Sequence, residues 1–131
     1  MANIERIAPA GLHKAVGWSH VVKATASTTI YVSGQTGRTL DGKFLSGLKE
    51  QAEQAYENLR LALVAAGAAP KDVVKEVLFV VDYTPEKGAL IWPARSKLWG
   101  REFPASTLLG VQALASPEVL LEVEATAVLD A

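Results

Sequence analysis

Five apolar residues in succession, Val77-Leu78-Phe79-Val80-Val81, lie between two stretches with helical patterning. A run of this length is strand-sized, and a strand apolar at every position is expected to be covered on both faces. The stretch before it carries Leu48, Ala52, Ala55, Leu59, Ala62, Leu63 and Ala66 at three-and-four spacing, a single buried stripe. Lys49, Glu50, Glu53, Glu57 and Arg60 occupy the opposite face. Ser46 is the expected N-cap, Gly67 the stop, and Pro70 bars continuation. After the apolar run, Thr84-Pro85-Glu86 opens a second helix that is expected to reach Trp99. Pro93 is expected to kink that helix or mark its true start, and Gly100 to end it.

The rest reads as strands. A weak first strand is expected near Asn3–Ile7. Trp18–Thr25 and Thr29–Ser33 are β-rich runs, read as a hairpin joined by Ala26-Ser27-Thr28. The span from Gly34 to Lys43, with glycines at 34, 37 and 42, is read as a loop. The apolar run belongs to a strand over Val74–Tyr83, and two more strands are expected over Ala105–Gln112 and Val119–Leu129. The last alternates Leu121, Val123, Ala125 against Glu122, Glu124, Thr126. The expected fold class is α+β, a two-layer fold with a mixed β-sheet and two helices packed on one face. The other sheet face must then be solvated or pack on another subunit. No linker, repeat or low-complexity stretch divides the chain, so one domain over residues 1–131 is expected.

Composition removes several functions. Thirteen basic and fourteen acidic residues leave a net charge of −1, which supplies no basic footprint for nucleic acid. No apolar run approaches the ~20 residues that span a bilayer, so no membrane partner is expected. With no cysteine there is no disulfide, no thiol nucleophile and no cysteine-ligated metal. His13 and His20 lack zinc-ligand spacing, and G-x-S-x-G is absent. The first residues have neither the basic nor the apolar region of a signal peptide, so a cytoplasmic location is expected.

Tyr31-Val32-Ser33-Gly34-Gln35 comes first in the chain. The helix Gln51–Gly67 with the strand Val73–Asp82 follows. Phe103-Pro104-Ala105-Ser106 and then Leu121-Glu122-Val123-Glu124-Ala125 complete the series. Together these segments resemble the RidA/YjgF family, reactive intermediate deaminases also called L-PSP endoribonucleases. The resemblance implies a chorismate-mutase-like fold in a homotrimer, with a barrel-like centre and small-molecule clefts between subunits. It implies hydrolysis of 2-imino and enamine acids to 2-keto acids and ammonia, with no cofactor and no metal. It assigns Glu122 to hold the attacking water and Ser33 and Gly34 to meet the ligand. A backbone N–H of Thr107 or Leu108 would donate to a bound carboxylate or carbonyl oxygen.

The sequence departs from the family at one decisive place. The resemblance puts an arginine where Ser106 stands in Pro104-Ala105-Ser106-Thr107. A hydroxyl carries no charge, and a buried carboxylate without a cation costs several kcal/mol. Simple 2-imino acids are therefore expected to bind poorly. Pro93-Ala94-Arg95-Ser96 spells the family motif in the wrong place, on the second helix, and Arg95 is read as an ordinary helix residue. Glu124 shares a strand face with Glu122 at a Cβ separation of roughly 6–7 Å. It therefore competes for the acid–base role. Trp18 and His20 are expected on one strand face near the family's cleft aromatic, to stack on a ligand or relay a proton; hydrophobic packing is the alternative for Trp18, and a surface or structural histidine for His20. Trp92 and Trp99, seven apart, read as core or interface. Arg101 is a cation able to swing toward the cleft from its loop. Two readings stay open: a deaminase-type hydrolase of an imine or enamine other than simple 2-imino acids, or a trimer that binds a metabolite without catalysis.

Overall fold

In the computed structural model, which describes residues 2–130, the apolar run becomes an inner strand of a four-stranded mixed sheet. The elements are β1 (Asn3–Ile7), β2 (Val21–Thr25), β3 (Thr28–Gln35), α1 (Leu48–Ala65), β4 (Val73–Val81), α2 (Pro85–Trp99), β5 (Ala105–Val111) and β6 (Leu121–Leu129). A 3-10 turn over Pro70–Asp72 leads into β4. The sheet order is β3-β6-β4-β5; β5 runs parallel to β4, and the other pairs are antiparallel. Strands β1 and β2 form a separate antiparallel pair.

Helix α1 packs on β3 and β6 and against α2. It buries Ala52, Ala55, Tyr56, Leu59 and Leu63. The sheet meets it with Val73, Leu78, Val80, Leu121, Val123, Ala125 and Ala127, and α2 adds Ile91 and Trp99. Each fully buried leucine or valine here is worth about 1.5–3 kcal/mol. The expectation that β4 is covered on both faces does not hold within one chain: Leu78 and Val80 are buried, whereas Val77, Phe79 and Val81 are half-exposed. Both helices lie on one side, so the other side of the sheet stays open.

Several local expectations are corrected. Gly47, at φ +95°, is the N-cap of α1 in place of Ser46. Helix α2 runs unbroken through Pro93 from a Thr84 N-cap whose hydroxyl accepts from the Lys87 N–H. The hairpin over residues 18–33 does not form, since β2 pairs with β1 and β3 with β6. Ala26-Ser27 contains neither glycine nor asparagine, the residues that favour the positive-φ geometry of tight hairpins. Strand β2 starts at Val21, because the Ser19 N–H donates to Pro104 O (3.1 Å) and its hydroxyl to Phe103 O (2.6 Å), tying this segment to the start of β5. Strand β3 runs on to Gln35 through an irregularity between Val32 and Gln35, so Gly34 is a strand residue and not the start of a loop, while Ser33 lies in the strand as expected.

Buried Gln51 sets where β6 begins. Its Nε2 donates to Leu45 O (2.9 Å) and Glu118 O (2.7 Å), and its Oε1 accepts from the Leu120 N–H (3.0 Å). One side chain thus holds the segments before α1 and before β6 together, and the next residue but one after Leu120 is Glu122.

Candidate functional site

The alternation of β6 turns Leu121, Val123 and Ala125 to the helices and Glu122 and Glu124 to the open face. Glu122 stands opposite Phe79 and Glu124 opposite Val77 in the register with β4. The Glu122 carboxylate packs directly on Gly34 of β3: a Cβ at position 34 would overlap it. Only glycine admits so close an approach. Glu124 is exposed and Glu122 half-buried, so the two carboxylates that compete in sequence have different surroundings. Ser33 is exposed beside Gly34. On the same open face Thr107 Oγ1 accepts from Lys75 Nζ at 2.8 Å.

Ser106 points to the other side of the sheet, because its register partner in the parallel pair is Glu76. Glu76 is fully buried, and Ser106 Oγ donates to its Oε1 (3.0 Å). Arg95 Nε donates to the same oxygen, while Tyr56 OH and Trp99 Nε1 each donate to Oε2 at 3.3 Å. The Arg95 Nη1 donates onward to Gly17 O (2.6 Å). Arg95 is therefore no ordinary helix residue: it is 8% exposed and ion-paired. The cleft region around Ser106 does hold a guanidinium, supplied by α2 instead of β5. A cavity of about 550 Å³ opens there, lined by Gly17, Trp18, Trp92, Arg95, Ser106 and Leu108 among others. Burial, and then the neighbouring Glu76 carboxylate, push the Tyr56 phenol well above its usual pKa.

Sequence reasoning missed the Arg95–Glu76 pair although a signal was present. Ile91, Arg95 and Trp99 fall at successive four-residue steps, so Arg95 lies on the buried stripe of α2. A cation there requires a buried counter-charge, and Glu76 is the acid standing within the β4 run.

Trp18 and His20 do come together, though not through strand alternation. Their ring centroids are 4.4 Å apart, and His13 joins them at 4.8 Å from His20 and 5.8 Å from Trp18. A ring nitrogen of His20 lies 2.7 Å from His13 O. Trp92 is 36% exposed at the cavity, whereas Trp99 belongs to the core at 3%. Arg101 is exposed after α2 and does not line the cavity. Strand β5 is an edge of its sheet, and neighbouring N–H groups alternate in direction. One of the Thr107 and Leu108 N–H groups therefore points away from β4. Among the described residues no group of three or more His, Asp or Glu side chains is assembled to hold a metal ion. Among the described residues no helix is long and apolar enough to cross a membrane.

Comparison with known proteins adds to this geometry. The sequence model of the family described as Endoribonuclease L-PSP matches residues 9–129. The chain is similar to a crystal structure of YyfB, of the conserved Rid protein family, from Yersinia pestis: 36% identity, TM-score 0.91, covering 97% of this chain and 99% of that one. It is 28% identical over 104 residues to the 2-iminobutanoate/2-iminopropanoate deaminase of Dermatophagoides farinae, covering 78% of this chain and 79% of that protein. It also resembles E. coli TdcF with bound serine, at 26% identity and TM-score 0.69, covering 87% of this chain and 90% of that one.

Proposed function

The chain belongs to the endoribonuclease L-PSP family, also known as RidA/YjgF, and from that premise we propose that it is a deaminase-type hydrolase of a small imine or enamine. The observation that carries this reading is the Glu122 carboxylate seated on Gly34 at the open sheet face. In the proposed reaction Glu122 takes a proton from water as the oxygen attacks the C=N carbon. Glu122 returns that proton to the nitrogen, giving the carbinolamine; on collapse the carbinolamine hydroxyl proton passes through Glu122 to the departing nitrogen, and a carbonyl compound and ammonia leave. General-base help of this kind is worth ~10²–10⁴ in rate.

The substrate is not a simple 2-imino acid. Ser106 offers no charge, and Arg95 faces the helix side of the sheet while Glu122 faces the open side. A two- or three-carbon acid held by Arg95 cannot reach Glu122 of the same chain through the sheet. The sites are completed in a homotrimer, in which the open face, with Val77, Phe79, Leu109 and the 81%-exposed Tyr31, is covered by neighbouring copies. Serine bound to TdcF supports a small molecule as the partner of this fold.

The test generates imines in situ and follows ammonia release by wild type and Glu122→Gln. Turnover lost in the variant supports the hydrolase. Binding of small molecules with no turnover of any imine would leave a metabolite-binding trimer.

A further inference from the structure

Arg95 has donors to spare. Its Nε is taken by Glu76 and its Nη1 by Gly17 O, but Nη2 has no acceptor among the described residues. No buried side-chain nitrogen or oxygen among those residues lacks a partner. Nη2 is therefore not sealed in protein; it opens to the cavity that Arg95 lines. The guanidinium is also held rigidly, by the Glu76 carboxylate below and the Gly17 carbonyl beside it, so little rotamer freedom remains to be lost on binding. Trp18, Trp92 and Leu108 supply flat apolar walls around it, and Ser106 a hydroxyl.

We propose that this cavity is an anion subsite that seats the carboxylate of an apolar or aromatic acid on Arg95 Nη2, with the body of the acid between Trp18 and Trp92. The inference rests on the reading of the Ser106 region as the ligand cleft and names the substrate class that cleft takes. Because Glu76 balances Arg95, the anion is recognised by directed N–H donation and not by surplus positive charge. Recognition then depends on fit: acids with a large apolar body gain the tryptophan walls, and very short acids do not.

Intrinsic tryptophan fluorescence, with calorimetry alongside, reads binding directly. The probes are phenylacetate and its neutral isostere phenylacetamide. On wild type, phenylacetate should bind about tenfold or more tightly than phenylacetamide, the worth of a hydrogen bond from a charged donor. The double variant R95M/E76Q removes both charges together, so no buried ion is left alone, and it should bind acid and amide equally. If that variant does not fold by circular dichroism, Arg95→Lys is the second arm, and a reduced acid preference supports the proposal. Equal binding of acid and amide by wild type, no saturable binding of the acid, or an unchanged preference in either variant overturns it. Ammonia release is followed separately. Its failure with the acid preference intact counts against the hydrolase alone, and loss of the preference with turnover intact counts against the anion subsite alone.

Discussion

At the scale of single residues, the molecule is organised around two carboxylates with opposite surroundings. Glu76 is sealed and receives four donors; Glu122 sits half-buried against a glycine. Removing one partner of a buried ion pair costs about 3–5 kcal/mol, because the other charge is left uncompensated. Arg95→Met alone should therefore lower the urea midpoint strongly, while R95M/E76Q should cost less than the two single changes added. Strict additivity in that cycle would show that the pair is not coupled. Gly34→Ala should displace the Glu122 carboxylate and cut imine hydrolysis by about 10²-fold, with the fold intact by circular dichroism. Unchanged turnover would remove Glu122 from its proposed role. The Gly34 and Glu122 positions were legible because their neighbours in sequence spell a recognisable pattern. Arg95 and Glu76 were not, because their partnership is made across two layers, and a charge on a helix reads as solvated until the strand opposite is known.

At the scale of elements, ends written in local chemistry were legible and ends written in tertiary contacts were not. The close of α1 is local: the Gly67 N–H donates to Val64 O (3.0 Å) and the Ala68 N–H to Leu63 O (2.9 Å), with Gly67 at φ +78°. Open space surrounds the position a Cβ would take. Gly67→Ala should thus cost about 1–2 kcal/mol from backbone conformation alone, read as a shift in the urea midpoint without a change in slope. The start of β2 is not local: Ser19 is claimed by Pro104 and Phe103, far along the chain, so a β-rich run beginning at Trp18 becomes a strand only from Val21. Where Tyr56 of α1 reaches Glu76 of β4, it carries a pH signature. Its folded pKa is raised above the unfolded value of about 10. Its contribution is fully present below pH ~10 and is lost as pH rises, by up to about 1.4 kcal/mol per unit, since only the unfolded chain then sheds the proton. Urea titrations from pH 8 to 11 should show this alkaline slope in wild type and lose part of it in Tyr56→Phe.

At the scale of the whole molecule, the two helical stretches and the alternation of β6 predict two layers, and the structure has them: helices on one side, an open sheet on the other, although the apolar run of β4 had pointed to cover on both faces. That one side lacks cover follows from counting helices; what covers it does not follow from one chain. The account predicts a particle of about 42 kDa, three copies of the 13.9 kDa chain, by light scattering at micromolar concentration. A 13.9 kDa particle would remove the covered face and the shared cleft together. The central claim is that Glu122 drives hydrolysis of an imine larger than the simplest 2-imino acids. Its most direct test is ammonia release from two imines generated in situ, 2-iminopropanoate and a phenylacetate that carries its C=N group on the ring para to the acetate arm, by wild type and Glu122→Gln. The account predicts turnover of the phenyl-bearing imine that exceeds that of 2-iminopropanoate by about 10²-fold or more, and its loss in Glu122→Gln. Equal turnover of both imines, or turnover of the larger one that survives Glu122→Gln, would contradict it.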